Sequence, residues 1–223
     1  MGIMKIVNFF NIFLLSSMIR CVKNLFNKGG YMHDVTKMMF ELVIENAPDR
    51  VPPTTHQESI MNKVKENSGI AIVQDKGTAF IAMGPRMQSA EGVFIGKDKN
   101  PRFKQDVIVL NSNANAAYWY SVLFHELAHA TGTTDRLNRS GIAGNVDAIA
   151  YCYEEIIAES VARRLMERLE LATPQTREAS QRYINGYAMK IETLISLNKL
   201  NSEVQAAETL IIEWLQGVEF KAA

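Results

Sequence analysis

The chain has 223 residues and a mass of 25.0 kDa, enough for one domain with a substantial hydrophobic core. Hydrophobic residues make up 47% and charged residues 22%, as in ordinary globular proteins, and the formal net charge of zero argues against a protein that binds nucleic acid through a basic surface. The two cysteines, Cys21 and Cys152, are too few for a framework of disulfide bonds.

Residues 1–30 form a basic, apolar segment that we separate from the rest of the chain. Four basic side chains and no acidic one accompany an apolar run, which is typical of a signal-like sequence or of an amphipathic helix that contacts a membrane surface. Asn8 and Asn11 interrupt the run, which is too short to span a bilayer. Alternatively, residues 1–30 are an extension that precedes a true translation start near Met32. We therefore expect an N-terminal appendage followed by a single domain over residues 31–223.

Residues 31–110 predict two helices followed by a small sheet. We expect helices from Asp34 to about Asn46 and over about 56–67, the second one ending before Gly69. Four short runs rich in β-forming residues come next: GIAIVQ, GTAFIAM, GVFIG and DVIVLN. The region has ten basic and ten acidic side chains, so it offers little electrostatic attraction for DNA.

From residue 111 to the C-terminus the pattern is helical. The expected helices cover about 114–131, 148–171, 175–197 and 201–217, with Gly132, Pro174 and Asn201 between them. The predicted fold class is therefore α+β, with a small N-terminal mixed or antiparallel sheet and a C-terminal helical half over residues 111–223.

The helix expected over 114–131 contains HELAH, in which His125 and His129 are four positions apart. Positions i and i+4 lie on one helix face, so both imidazoles can point at one metal ion. Glu126 can then reach a water without binding the metal itself, which is the arrangement of zinc metallopeptidases. The alternative is an amphipathic helix with two buried histidines, each of which would need its own hydrogen-bond partner. The motif predicts a Zn²⁺ site with Glu126 as the general base.

Two regions can supply the third protein ligand. The local string HELAHATGTTD fits a metzincin-like pattern in which a glycine turn brings back a ligand at the last position, here Asp135. The later helix CYEEIIAESVARRL offers Glu154, Glu155 and Glu159, and the last two share one face. One of that pair can bind the metal while the other accepts a hydrogen bond from the free ring nitrogen of a ligand histidine. The residues alone leave both regions open.

Other side chains near the motif have less specific expectations. Tyr118 and Tyr120 can donate a hydrogen bond to a developing oxyanion, although aromatic residues at helical spacing more commonly pack in the core. Asp135, Arg136 and Arg139 are expected to form an ion-pair cluster that fixes the loop at the rim of the cleft.

Two stretches, YWYSVLFHELAHATGTTDRLNR and YEEIIAESVARRL, resemble the zincin-like metallopeptidase domain of ArdC-type antirestriction proteins, which plasmids and phages carry. The resemblance covers roughly residues 107–217 and implies a zincin-like fold. A more distant similarity to ImmA/IrrE peptidases lies in the second stretch, which matches their pattern E-x-x-A-N/E-x-x-A. The first glutamate of that pattern binds the metal, so the resemblance implies Glu155 as the third ligand and Glu159 as the partner of a ligand histidine.

The resemblance implies a zinc-dependent metallopeptidase of the gluzincin type, from a phage or plasmid, that acts on a protein or peptide in the cytoplasm of a bacterial host. Thr133 stands where the family often has histidine, so any chemistry of that histidine is missing here. The alternative is an antirestriction or DNA-associated protein with a structural or vestigial zinc site. The retained Glu126 favours chemistry, because a structural site needs ligands but no base. DNA is a partner that the net charge does not support, and membrane contact is expected only through residues 1–30.

Overall fold

The structure is a computed structural model that describes residues 54–75, 90–99, 105–111, 116–142, 147–191 and 196–220. The basic segment 1–30, the helix expected from Asp34 to Asn46 and the strand expected at GTAFIAM lie outside these residues. No helix within the described ranges is long and apolar enough to cross a membrane.

The described residues form five α-helices and two short 3₁₀ helices. The α-helices are α1 (Thr55–Ser68), α2 (Trp119–Thr131), α3 (Ala148–Arg168), α4 (Pro174–Ala188) and α5 (Leu197–Trp214), and the 3₁₀ helices cover Lys97–Lys99 and Ala116–Tyr118. α1 begins with a capping box, in which Thr54 and Gln57 each accept a hydrogen bond from the other's backbone N–H. It ends at Gly69, whose φ of 74° suits glycine. The helix predicted at 56–67 is thus confirmed to within one residue at each end.

The boundary between α4 and α5 differs from the prediction. The sequence predicts one helix to residue 197 and the next from 201, but α4 ends at Ala188 and α5 begins at Leu197. The reason is the cap: Ser196 has extended backbone and its side chain accepts a hydrogen bond from the backbone N–H of Lys199. Asn201, which the sequence predicts between two helices, lies inside α5. Asparagine is common in turns but also occupies exposed helical positions, and the capping serine decides where this helix begins.

Three strands form a mixed sheet in the order β1-β3-β2. They are β1 (Ala71–Asp75), β2 (Gly92–Ile95) and β3 (Val107–Asn111). β1 runs parallel to β3 with Ala71 opposite Val107, and β2 runs antiparallel with Gly92 opposite Leu110. Val107 to Leu110 are all buried, as a central strand covered on both faces requires. The predicted α+β class with a small mixed sheet is confirmed.

The hydrophobic core fixes the rotation of α2. Leu123, Phe124 and Leu127 of this helix are fully buried and pack with residues of α3, α5 and the sheet. Burying a leucine or phenylalanine side chain contributes about 1.5–3 kcal/mol, so turning this face outward would be costly. His125 and His129 are consequently held on another face, which is only partly covered.

Gly92 brings the first residue of β2 into close contact with α2. A Cβ atom at this position would lie 2.7 Å from Cγ1 of Val122 and 2.9 Å from Cγ of Glu126. We expect Gly92→Ala to lower the free energy of unfolding by about 1–3 kcal/mol, because an added methyl group overpacks the contact. Urea unfolding followed by circular dichroism measures this loss.

Gly186 provides the control for Gly92. It lies in α4 with open space around the position of a Cβ atom. Alanine is favoured over glycine inside a helix by about 1 kcal/mol, so Gly186→Ala should raise the free energy of unfolding. Wild-type stability in Gly92→Ala would contradict the close approach of β2 to α2.

Candidate metal centre

Two histidines of α2 and one glutamate of α3 bring their donor atoms together. Nε2 of His125 lies 3.1 Å from Nε2 of His129. These nitrogens lie 3.5 and 3.7 Å from Oε2 and Oε1 of Glu155, respectively. One donor atom from each residue falls within 4.8 Å of the other two. Ligands about 2.0–2.2 Å from a tetrahedral metal ion are about 3.3 Å apart, so the donor set fits a divalent metal ion.

The second ring nitrogen of each histidine faces another carboxylate of α3. Nδ1 of His125 lies 2.9 Å from Oε2 of Glu159, and Nδ1 of His129 lies 3.3 Å from Oε1 of Glu154. A carboxylate that accepts the Nδ1–H hydrogen leaves Nε2 unprotonated and able to bind a metal. The three glutamates of α3 therefore have different partners. Glu155 joins the two histidines in what we call the donor cluster, whereas Glu159 and Glu154 face the Nδ1 atoms of His125 and His129.

The charges of this site depend on one another. Burial disfavours ionisation of Glu155, but the hydrogen bond with His125 and the charge of His129 outweigh it and hold the pKa of Glu155 at about 2. Burial likewise acts to lower the pKa of His125, but Glu155 and Glu159 raise it well above its ordinary value. A metal ion at the donor cluster therefore competes with protons for the ring nitrogen of His125.

Glu126 lies beside the donor cluster and is 7% exposed. Burial raises the pKa of its carboxyl group, although the two histidines and the backbone N–H of Phe94 act in the opposite direction. A carboxylate with a raised pKa is a stronger base and accepts a proton from water more readily. The environment of Glu126 therefore suits a general base.

Asp135, the other residue that the sequence offers as a ligand, is engaged elsewhere. Its Oδ2 lies 2.6 Å from Nζ of Lys97, and its Oδ1 accepts a hydrogen bond of 2.7 Å from the hydroxyl of Thr133. These two contacts lower the pKa of Asp135 to about 2. Its side chain is 41% exposed. Among the described residues, Glu155 and not Asp135 completes the donor cluster.

Arg139 lies beneath the site instead of at its rim. Its guanidinium donates hydrogen bonds of 2.8 and 2.6 Å to the two oxygens of Glu154. Its other donors reach the hydroxyl of Thr131 and the carbonyl of Ala128 in α2. A Cβ atom on Gly132 would lie 2.9 Å from Nη2 of Arg139, so the glycine makes room for the guanidinium. Arg139 thus neutralises the buried partner of His129 and ties it to α2.

The ion-pair cluster expected for Asp135, Arg136 and Arg139 is therefore divided. Asp135 pairs with Lys97, and Nη1 of Arg136 lies 2.7 Å from Oδ2 of Asp106. Arg139 turns inward to the carboxylate of Glu154, which is 2% exposed and needs a charge partner there, and Arg136 meets the equally buried carboxylate of Asp106.

Removing Arg139 should strongly destabilise the protein. Arg139→Ala leaves Glu154 buried without its cation, and breaking a buried pair in this way costs about 3–5 kcal/mol. Arg182→Ala is the control, because its partner Glu178 and Arg182 itself are 69% and 70% exposed; we expect a change within about 0.5 kcal/mol. Urea unfolding of the metal-free proteins separates this effect from metal binding. Equal, small losses in both variants would contradict the buried role of Arg139.

The tyrosines near the motif differ in their surroundings. Tyr118 caps the start of α2 and is half-buried. Tyr120 lies in an aromatic cluster, with ring centroids 5.1–6.3 Å from those of His56, Trp119, Phe124 and Phe220. These contacts favour core packing for Tyr120, and the oxyanion role of either tyrosine stays a prediction.

Sequence reasoning missed Tyr183. Its hydroxyl donates a hydrogen bond of 2.6 Å to Oε2 of Glu155. The residue lies on α4 in the stretch ASQRYINGYAMKI, whose two tyrosines are the only feature in the sequence that could point to a role at the site. The period of a helix cannot show which of them faces α3.

The paired helices, the donor cluster and the small mixed sheet form a zincin-like fold. Residues 100–194 match the family described as zincin-like metallopeptidase. This match confirms the resemblance to a zincin-like metallopeptidase domain, and the zincin-like fold predicted from the sequence is confirmed as well.

One solved structure with which the chain shares similarity is the antirestriction protein ArdC from the R388 plasmid in its Mn(II)-bound form, at 20% sequence identity and a TM-score of 0.45. The match covers 75% of this chain and 56% of the ArdC chain, so this chain spans little more than half the length of that protein. No curated protein matches the chain.

Proposed function

We propose that this protein is a zinc-dependent metallopeptidase of the gluzincin type, of phage or plasmid origin, that hydrolyses a peptide bond with an activated water. The observation that carries the proposal is the donor cluster of His125, His129 and Glu155, with the buried carboxylate of Glu126 next to it. Two imidazoles and one carboxylate form the ligand set of many catalytic zinc sites, which keep a further position open. The proposed partner is a protein or peptide, and the proposed location is the cytoplasm of the bacterial host.

The chemistry requires proton transfer at a defined atom. Zn²⁺ bound at the donor cluster would polarise the carbonyl of a peptide bond and lower the pKa of a water. The carboxylate of Glu126 accepts a proton from the attacking water as the water oxygen forms its bond to the carbonyl carbon. The carbon–nitrogen bond then breaks, and Glu126 delivers the proton to the leaving amine. The backbone N–H of Phe94 favours the ionised form of Glu126, which is the form that accepts the proton.

The burial of Glu126 supports hydrolysis over a purely structural metal site. A structural site needs ligands and their hydrogen-bond partners, but it has no use for a further buried carboxylate, which is costly unless it has a role or a partner. The zero net charge of the chain gives no support to the alternative of an antirestriction protein that binds DNA.

Removal of the metal tests the proposal. Reduced, unfolded casein is incubated with the zinc-loaded protein, with protein treated with a chelator, and with treated protein to which zinc is returned. We expect cleavage in the first and third samples only, read as new fragments on a gel. DNA binding at several salt concentrations is measured on the same preparation, since phosphate contacts make affinity steeply salt-dependent. Intact casein together with tight, salt-dependent DNA binding would favour the antirestriction alternative.

A further inference from the structure

A single side chain of α4 contacts two members of the donor cluster. The hydroxyl of Tyr183 donates a hydrogen bond of 2.6 Å to Oε2 of Glu155. The ring of Tyr183 lies edge-on to that of His125, with centroids 5.5 Å apart and an interplanar angle of 82°. Neighbouring rings support it, since Tyr187 lies 5.0 Å from Tyr183 and 6.0 Å from Tyr151 between ring centroids. Tyr183 is 39% exposed, so its hydrogen bond with Glu155 is the contact that places the hydroxyl.

Both oxygens of Glu155 are placed almost equally well for a metal ion. Oε2 lies 3.5 Å from Nε2 of His125, and Oε1 lies 3.7 Å from Nε2 of His129. Carboxylates bind metal ions through one oxygen or through both. Binding through both would take up space in the position that a catalytic zinc site keeps open for water or substrate. The two distances alone do not select one oxygen, whereas the hydrogen bond from Tyr183 falls on only one of them.

We propose that Tyr183 is a positioning residue of the metal centre, whose hydroxyl engages Oε2 of Glu155 and so directs Oε1 alone to the metal ion. This inference rests on the proposed function and adds a residue to its site. Hydrogen-bond partners of this kind orient the groups that bind metals, and their removal typically lowers metal affinity about 10–100-fold. Because Tyr183 belongs to α4, the proposal also makes that helix part of the metal centre.

The test uses two tyrosine-to-phenylalanine variants that each lose one hydroxyl group. Tyr183→Phe keeps the ring against His125 and removes the donor to Glu155. Tyr120→Phe is the matched control, because Tyr120 lies in the aromatic cluster with Phe124 and Phe220. Each protein is loaded with Co²⁺, whose visible absorption reports the number of ligands, and Zn²⁺ affinity is measured by competition with a coloured chelator. Thermal unfolding of the metal-free proteins checks that all three fold alike.

We expect intense four-coordinate Co²⁺ absorption from the wild type and from Tyr120→Phe. Tyr183→Phe should give the weaker absorption of a higher coordination number, as Glu155 binds through both oxygens, and its Zn²⁺ affinity should fall about 10–100-fold. An unchanged Co²⁺ spectrum in Tyr183→Phe would overturn the proposal, whether or not affinity falls, because a general loosening of the site lowers affinity without adding a ligand. A wild type that binds neither ion would instead overturn the proposed function, and this inference with it.

Discussion

Replacing Glu126 with glutamine should nearly abolish peptide hydrolysis and leave metal binding intact. Glutamine has almost the same size and can still accept the hydrogen bond from the backbone N–H of Phe94. It cannot accept a proton from water, and loss of a general base lowers the rate by about 10²–10⁴-fold. The donor cluster consists of His125, His129 and Glu155, so the variant should still bind about one metal ion per chain.

Initial rates of casein cleavage and zinc content by mass spectrometry measure the two halves of this prediction. Glu178→Gln is the matched control, because Glu178 is 69% exposed on α4, and it should cleave at the wild-type rate. If Glu126→Gln cleaves as fast as the wild type, the base is another group. If its zinc content falls together with its activity, the loss of activity reports the metal and says nothing about proton transfer.

Replacing Glu155 with alanine should empty the metal centre. The variant keeps both histidines and their partners Glu154 and Glu159, but it lacks the carboxylate that lies 3.5 and 3.7 Å from the two Nε2 atoms. Two imidazoles four positions apart on a helix hold zinc far less tightly than three ligands, so zinc content should fall from about one per chain to near zero. The metal-free variant should also unfold at a lower temperature than the zinc-loaded wild type, because a ligand that binds only the folded state stabilises it.

Asp135→Ala is the matched control for Glu155→Ala, since each variant removes one candidate carboxylate. Asp135 is paired with Lys97 and Thr133, so its loss should leave about one zinc per chain. Zinc content is measured by mass spectrometry after purification without chelators. Loss of zinc in Asp135→Ala with retention in Glu155→Ala would reverse the assignment and support the metzincin-like pattern of the local sequence.

The parts of the fold that were predicted correctly depend on local signals. Thr54, Gln57 and Gly69 set both ends of α1, and short runs rich in β-forming residues predict the strands that the structure describes. The end of α4 and the start of α5 were predicted wrongly, since two residues there, Ser196 and Asn201, both resemble helix boundaries in sequence. Only the backbone conformation at Ser196 shows which of them is the cap.

Within the site, the sequence by itself determined that His125 and His129 share one helix face with Glu126 beside them. That follows from the helical repeat, which backbone hydrogen bonds set over a few residues. The repeat also places Glu155 and Glu159 together, but it cannot show which carboxylate meets which histidine, because that depends on the rotation of α3 against α2. Core packing of both helices sets this rotation.

Three further features of the site also depend on how the helices pack against one another, so only the tertiary structure decided them. It places Glu155 and not Asp135 beside the two histidines and Glu154 beside Nδ1 of His129. It also brings the hydroxyl of Tyr183 within hydrogen-bond distance of Glu155. Tyr183 and Glu155 are 28 positions apart in the chain and lie on two separate helices. Contacts between helices arise from non-local packing, which no local pattern of residues encodes.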